Sequence, residues 1–438
     1  MNIAIIIVCI GLSCIAFIIE KRVYNPITVF TTIWATIVAF ASMQLFGLYE
    51  ASSDSYKIIL ISIIFFSIGA FVAYTKKKTI RIKNVYTTKI KKQEYFSYKR
   101  MYILGCIIMV YMLVQAFGVY TLLQEGFSMF DIRSSLQGYS MNAEYVTSRL
   151  RILRTGTWPN RIYDWIILPG LYSMVLITCM DLIIGKRDKK LLFITVLNVI
   201  LKVYSEGTRI LLFNIGVYLV FLVLILGKKL TMSKKTKRYI RFGIILLIIG
   251  LIFVSNIRLQ TMKKSIWEEI YLYFSCTIPL WDKWYNILKQ NQVYTYGAAS
   301  LYGLIQIPVL FSEYFIPVTW YRNAMVLINQ TEIFFKIRTA SYSTSYNAFT
   351  TMFYYFYLDG GILGCIIGSL VFGFVCGYTY VRLKRKMETG DYLRSMYIYL
   401  VLVLFMVMSF IRFSFARVDY AMMLFFAYIF IKKRRNID

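Results

Sequence analysis

Three polar breaks interrupt the apolar segments of this chain and hold the residues best suited to chemistry. They lie at 206–209, 359–361 and 412–417. Their charged members are Glu206, Arg209, Asp359, Arg412 and Arg417. A carboxylate can take a proton from a hydroxyl group, and an arginine fork binds two phosphate oxygens at once. Because a charge between apolar runs is costly unless it lines a wet cavity, the breaks predict a site for a phosphate-bearing substrate.

Each break also has a structural alternative, which the sequence leaves open. Glu206 and Arg209 would form an ion pair that holds a turn, and Asp359 would cap the helix that follows it. Arg412 and Arg417 would pair with Asp419 at helix ends. In these alternatives the charges stabilise local structure and bind no substrate.

Further arginines fall in segments that we expect on the outer side of a membrane. Lysine exceeds arginine in the predicted inner segments, whereas arginine exceeds lysine in the outer ones. The positive-inside rule does not distinguish the two residue types, so this switch favours phosphate or pyrophosphate binding outside. The additional candidates for such binding are Arg149, Arg151, Arg258, Arg322 and Arg338. For any one of them, interfacial anchoring or a surface ion pair is the alternative.

Composition predicts the fold class. Of the 438 residues, 59% are hydrophobic and 16% are charged, and the mean hydropathy is +0.61. Runs of roughly 20 apolar residues recur between charged breaks, which is typical of helical spans and not of barrel strands. The sequence therefore predicts an all-α polytopic membrane protein with about eleven transmembrane helices, in a range of about 10 to 14.

The order of apolar and basic segments predicts the topology. Region 1–256 holds eight spans and an outer loop at 124–160, region 257–345 is one large outer loop, and region 346–438 holds three spans and a basic tail. Inner segments such as 75–100 are strongly basic. We therefore expect the N-terminus outside and the C-terminus in the cytoplasm.

The large outer loop contains two apolar runs, 270–281 and 301–318. They are either interfacial helices or an extra pair of spans, and a pair would leave the sidedness unchanged. The loop also carries Trp281, Trp284 and Trp320. An aromatic belt at the membrane surface accounts for most aromatic residues of such a chain, and a sugar-stacking surface is the alternative for these three.

Several classes are disfavoured by what the sequence contains. The net charge of +29 lies mostly in short loops between spans, which argues against nucleic-acid binding. There is no His, the seven Cys lack metal-type spacing, and no DxD pair is present, so we expect neither a metal nor a cofactor. A carboxylate is then the natural proton acceptor, with Glu206 as first choice and Asp359 as second.

Short motifs in four places resemble those of a known family. Asn25-Pro26 opens an aromatic-bearing span, which ends in the sequence LFGLY at 45–49, and a small-residue–arginine break lies at 205–209. The run at 347–364 resembles the family's segment after its large loop. Together with the layout of the whole chain, these motifs resemble the Wzy-type bacterial oligosaccharide repeat-unit polymerases. That resemblance implies the GT-C-like architecture that these polymerases share with O-antigen ligases.

The resemblance also implies an activity, a location and partners. Such a glycosyltransferase moves a growing glycan from undecaprenyl pyrophosphate onto the next lipid-linked repeat unit, without a metal, at the outer face of the bacterial cytoplasmic membrane. A flippase and a chain-length regulator are the expected partner proteins, and the product is O-antigen, capsule or another polysaccharide. In the related ligases arginines bind the pyrophosphate and a His is the proposed base. The absence of His here disfavours the ligase.

Applied to this chain, the arginine set would hold the donor pyrophosphate, and Glu206 or Asp359 would take the proton of the acceptor hydroxyl. The alternatives are a flippase or transporter for lipid-linked sugar and a ligase-like transferase. Many transporters contain internal repeats with charges near the middle of the membrane. Because we detect no repeat, and because the breaks lie toward the outer ends of spans, a polymerase is the leading prediction.

Overall fold

The structure is a computed structural model that describes residues 1–75, 95–136, 143–150, 153, 157–227, 265–313, 315–316, 318–338 and 345–432. The chain divides into two compact units. Unit 1 comprises Met1–Thr87 and Trp267–Ala421, and unit 2 comprises Thr88–Ile266 and Met422–Asp438. Each unit therefore combines segments that are far apart in the sequence, whereas the predicted regions followed chain order.

The described elements are almost all helices. In chain order they are α1 (Asn2–Glu20), α2 (Pro26–Ser42), α3 (Ser53–Thr75), α4 (Tyr98–Gln124), α5 (Met129–Leu136), α6 (Ala143–Leu150), α7 (Thr157–Ile162), α8 (Leu168–Ile183), α9 (Lys189–Glu206), α10 (Ile210–Leu226), α11 (Ile266–Ser275), α12 (Thr277–Asn291), α13 (Tyr302–Ser312), α14 (Thr319–Gln330), α15 (Thr351–Thr389), α16 (Leu393–Met408) and α17 (Val418–Phe430). The strands β1 (Phe335–Lys336) and β2 (Ser345–Tyr346) form one antiparallel pair.

Five helices among the described residues have the length and apolar composition needed to cross a membrane. They are Asn2–Glu20, Ser53–Thr75, Tyr98–Gln124, Trp158–Ile183 and Thr351–Thr389. Shorter apolar helices of 10–17 residues include α2, α10, α13, α16 and α17. These helices agree with the predicted class, an all-α membrane protein.

Local sequence explains the tight turn between α1 and α2. Lys21 adopts the left-handed conformation that ends α1. Pro26 occupies the first turn of α2, and the Asn25 carboxamide accepts a hydrogen bond from the Thr28 backbone N–H at 2.9 Å. An asparagine cap followed by proline fixes where a helix begins. The Asn-Pro motif at the start of the second span is thus a helix start.

In unit 1, α3 and α15 pack so closely that only glycine fits at the crossing. A Cβ atom at Gly69 would lie 2.0 Å from the Leu370 carbonyl oxygen, and one at Gly373 would lie 2.0 Å from the Phe66 carbonyl oxygen. Within a membrane, packing of small residues takes the place of the hydrophobic effect in holding helices together. Gly69 and Gly373 are therefore part of the packed interface between α3 and α15.

We expect leucine in place of Gly373 to prevent folding of unit 1. The added side chain would overlap the backbone of α3, which cannot move aside as a flexible side chain can, so the cost exceeds the ~1–3 kcal/mol of ordinary overpacking. Thermal unfolding of the purified protein measures the effect. The control is Gly216→Leu, because a Cβ atom there would meet nothing within 4 Å. A wild-type Tm for Gly373→Leu would contradict this packing.

Helix α15 folds back on itself at 360–361, where Gly361 has a φ of 60°. The Cys365 thiol donates to the Phe353 carbonyl oxygen at 3.7 Å. In a straight helix these two residues would be about 18 Å apart along the axis. Residues 351–359 therefore form the short first arm of a helical hairpin, and residues 362–389 form its long second arm.

Unit 2 is built on α4, α8, α9 and α10. Helix α9 begins at Asp188, whose carboxylate accepts from the Leu191 backbone N–H at 2.8 Å, and it ends at Gly207 in the left-handed conformation. A π-helical turn at Tyr163–Ile167 joins α7 to α8. Because π turns are frequent at functional sites, the helices around this turn form a candidate site.

Helices α11 to α14, strand β1 and the first residue of β2 lie in the segment predicted as the large loop, 257–345. Leu48 of the LFGLY motif pairs with Arg338 in an antiparallel bridge. The Leu45 backbone N–H donates to the Tyr271 hydroxyl at 2.9 Å. The motif therefore attaches this segment to the end of α2 within unit 1.

Candidate functional site

The link between α16 and α17 holds two arginines in fixed positions. Arg412 donates to Glu332 Oε1 at 2.5 Å and to the Ala348 carbonyl oxygen at 3.3 Å. Arg417 donates to both carboxylate oxygens of Asp419, at 3.0 and 2.5 Å. The side chains of Arg412 and Arg417 are 23% and 37% exposed. Carboxylates thus orient both guanidinium groups, and solvent reaches both.

Both arginines act electrostatically on one buried phenol, that of Tyr355 in the hairpin's first arm. The start of that arm is tied to the end of α16, because Thr351 N donates to Ile411 O at 3.1 Å and Met352 N donates to Ser409 O at 2.8 Å. These bonds occupy N–H groups that would otherwise attract an anion at the helix N-terminus. The first N–H groups of this arm are therefore already paired within the protein.

Thr351 itself has a φ of 66°. A β-branched residue rarely adopts this left-handed conformation, and such strain is often found at functional positions. Ala348, which accepts from Arg412, has a φ of 65°. The backbone next to Arg412 is thus held in an unusual shape by the surrounding helices.

Asp359 lies at the tip of the hairpin and supports a neighbouring segment. Its carboxylate accepts from Thr295 Oγ1 at 2.6 Å, from Ala299 N at 2.9 Å and from Ser300 N at 3.0 Å. Three donors that converge on one carboxylate resemble a helix cap. This geometry favours a structural role for Asp359 over proton transfer. The capped backbone groups belong to the segment just before α13, whereas Asp359 itself lies in α15.

The segment hydrogen-bonded to Asp359 immediately precedes α13, which packs against the backbone of Arg417. Helix α13 begins two residues after Ser300, and a Cβ atom at Gly303 would lie 2.4 Å from the Arg417 carbonyl carbon. This close approach presses α13 against the backbone of Arg417. A continuous set of contacts therefore runs from the hairpin tip to the arginine link.

Glu206 belongs to unit 2, where three side chains reach its Oε1 atom. Lys202 Nζ lies 2.5 Å away, Gln115 Nε2 lies 3.3 Å away, and the Tyr163 hydroxyl lies 3.5 Å away. Glu206 is 26% exposed, whereas Lys202 is 3% exposed. Arg209 follows at the start of α10. The carboxylate thus pairs with a buried lysine that the sequence analysis did not single out.

The other described candidates each pair with a carboxylate in their own unit. Arg338 donates to Glu268 at 2.5 Å and is 5% exposed, whereas Arg322 donates to Glu313 at 2.9 Å and is 63% exposed. Arg149 lies 3.4 Å from Glu125. Arg151 and Arg258 lie outside the described residues. Within unit 1, all four candidate arginines thus lie in separate ion pairs, and Arg412 and Arg417 share one short link between two helices.

Two ionisable groups among or near the candidate arginines have raised pKa values. Burial, followed by the negative charge of Glu269, raises the pKa of the Tyr346 hydroxyl well above its ordinary value. At Arg149, the hydrogen bond to Tyr145 and then the charge of Glu125 raise the pKa of the guanidinium group. Tyr346 therefore stays protonated and Arg149 stays charged at every physiological pH.

Sequence reasoning missed Lys202, Tyr163, Glu332 and Tyr355. One signal for Lys202 was available, because a lysine four residues before Glu206 on an apolar helix is the spacing of an intrahelical ion pair. Glu332 contacts Arg412 from 80 residues away in the chain. Tyr355, which interacts electrostatically with both arginines, is 57 residues before Arg412. No local pattern could have connected them.

Comparisons with family models, with curated proteins and with solved structures found no match to this chain.

Proposed function

We propose that the chain is a polymerase that transfers a growing glycan from undecaprenyl pyrophosphate onto the next lipid-linked oligosaccharide repeat unit. It is a metal-independent glycosyltransferase of the bacterial cytoplasmic membrane, with about eleven spans and a GT-C-like architecture. Its N-terminus lies outside, its C-terminus lies in the cytoplasm, and its site faces outward. A flippase supplies its substrate, and a chain-length regulator is a further partner.

The observation that carries this proposal is the position of Arg412 and Arg417 on a link between two short helices. Helix α16 has 16 residues and α17 has 13, so they are about 24 and 20 Å long. Because a hydrocarbon core is about 30 Å thick, a link between helices of these lengths fits below the membrane surface. Arginines at such a depth favour an anionic ligand, and a lipid-linked pyrophosphate carries its charge at this level.

The chemistry requires two groups from the chain. The donor's anomeric C–O bond breaks, and its electron pair leaves with undecaprenyl pyrophosphate, whose charge Arg412 and Arg417 stabilise without a metal. The acceptor hydroxyl oxygen forms the new C–O bond, and its proton passes to a carboxylate. Glu206 is the proposed base, and Asp359 is the second choice. The other proposed pyrophosphate contacts are Arg209, Arg258, Arg149, Arg151, Arg322 and Arg338.

Substitution of lysine for Arg209 is expected to remove most polymer while the protein level holds. Lysine keeps the positive charge but loses the planar fork that binds two phosphate oxygens. Gel analysis of glycan ladders from cells that express the variant measures the effect. Arg187→Lys is the control, because Arg187 is an exposed residue that donates to the Leu182 carbonyl. Near-normal ladders with Arg209→Lys would remove Arg209 from the site.

A second candidate function is a flippase for the same lipid-linked oligosaccharide. The observation that favours it is the Lys202–Glu206 pair in unit 2, because charges inside membrane helices mark transport pathways as well as catalytic sites. A ligase-like transferase is the remaining alternative.

One experiment separates the three activities. The size and sidedness of lipid-linked glycans are determined in cells that lack this chain. Single repeat units on the outer face, with no ladder, would support the polymerase. Single units trapped on the inner face would support a flippase instead. Full-length polymer that stays on its lipid carrier would support a ligase.

A further inference from the structure

Helix α9 turns a polar face toward its neighbours in unit 2. Thr195 shares a hydrogen bond with Thr178 of α8 at 2.9 Å, and Asn198 donates to the Gly105 carbonyl oxygen of α4 at 3.0 Å. Asn198 follows Thr195 by three residues and Lys202 follows Asn198 by four, so the three α9 residues share one face of the helix. All three side chains are buried.

Of these three residues, Lys202 has the largest desolvation free energy on burial, because it carries a charge. Its ammonium group donates to the Tyr163 hydroxyl at 2.7 Å and to Glu206 Oε1 at 2.5 Å. Removing a charge from water costs several kcal/mol, and well-packed apolar residues in place of a buried ion pair are often neutral or stabilising. Fold stability alone therefore gives no reason for a lysine at this position.

The contacts around Lys202 give a reason for the lysine, because they converge on one atom, Oε1 of Glu206. Gln115 approaches from α4, Tyr163 from the π turn and Lys202 from α9, and all three reach Oε1. The π turn places an extra residue in the helix at the position of Tyr163. Three elements thus orient a carboxylate that remains partly exposed to solvent.

We propose that Lys202 and Tyr163 are positioning residues that keep the Glu206 carboxylate ionised and oriented toward the acceptor hydroxyl group. This inference rests on the proposed function, since it concerns the base of the same transfer. In apolar surroundings an isolated carboxylate tends to hold a proton and cannot act as a base, whereas an adjacent cation favours the ionised form. Glu206 takes the proton as the new C–O bond forms, and it returns that proton to water after undecaprenyl pyrophosphate leaves.

The test uses the full-length protein in vesicles, with the lipid-linked repeat unit as substrate, and compares kcat with KM. Lys202→Met is expected to lower kcat about 100-fold, as misplacement of a reacting group does, and to leave KM unchanged because the arginines bind the donor. Tyr163→Phe keeps the ring and is expected to lower kcat to a smaller extent, again with unchanged KM.

A double variant separates catalysis from structure. Glu206→Gln with Lys202→Met removes both charges together, so the protein is expected to fold with a near-normal Tm and to make no polymer. The matched control is Glu20→Gln with Lys384→Met in unit 1. Lys384 lies 2.5 Å from Glu20 Oε2, and Tyr380 donates to the same oxygen at 3.0 Å. This second Lys–Glu–Tyr group is expected to tolerate the exchange with full activity.

Two results would overturn the inference. Wild-type polymer from the Glu206–Lys202 double variant would mean that the pair is only structural. A change in KM with unchanged kcat for Lys202→Met would mean that the lysine binds substrate instead. Failure of the proposed function looks different, because the wild-type protein itself would then make no polymer in the same vesicles.

Discussion

Arg412→Gln is expected to lower the rate of glycan polymerisation at least ~100-fold. Removing one fixed donor that stabilises developing negative charge typically costs this much, and here the charge develops on the departing pyrophosphate. Arg412 is held by Glu332 and by the Ala348 carbonyl oxygen, so its guanidinium group is positioned before substrate arrives. The measurement is the rate of polymer formation per amount of folded protein.

The control for Arg412 is an arginine that belongs to no proposed site. Arg161 lies 5.1 Å from the ring centroid of Trp158. Arg161→Gln is expected to polymerise at the wild-type rate. If Arg412→Gln also polymerises normally, the arginine link is not where the donor pyrophosphate binds.

Glu206→Gln is expected to lower the rate by a factor of about 100 to 10,000, the usual contribution of a general base. Glutamine keeps the size of the side chain and can still accept a hydrogen bond from Lys202, so the fold is expected to persist. What is lost is the capacity to take up a proton. The test is a single-turnover assay with donor and acceptor prebound, so that binding does not limit the rate.

Glu144→Gln serves as the matched control for Glu206. Glu144 is an exposed residue in the first turn of α6 in the same unit, and it belongs to no proposed site. Its replacement is expected to leave the single-turnover rate unchanged. Intact chain synthesis with Glu206→Gln would rule out Glu206 as the base and would move the search to other carboxylates.

Sequence patterns predicted the local features of this fold well. The apolar runs predicted a helical membrane protein, and five span-length helices agree. Asn25-Pro26 predicted a helix start, and Asn25 caps α2. The break at 359–361 was visible because two adjacent glycines interrupt an apolar run. In each case the interactions that determine the local structure join residues close together in the sequence, so a short motif is enough to predict it.

Features that depend on distant partners could not be predicted in this way. The hairpin brings Cys365 back to Phe353, and its direction is set by packing against α3 and α16, not by the glycines alone. A cap for the helix that follows was one alternative for Asp359, yet its donors come from 295–300. Glu332 meets Arg412 across 80 residues. Such contacts arise from the tertiary fold, which short motifs do not encode.

The most direct test of the central claim is polymerisation by the purified protein alone. Vesicles that contain the protein and a single undecaprenyl-pyrophosphate-linked repeat unit are incubated with a chelator, and lipid-linked products are separated by size. The account predicts a ladder of lipid-linked oligomers, with one undecaprenyl pyrophosphate released for each new bond and with no effect of the chelator. Unchanged single repeat units in the presence of folded wild-type protein would contradict it.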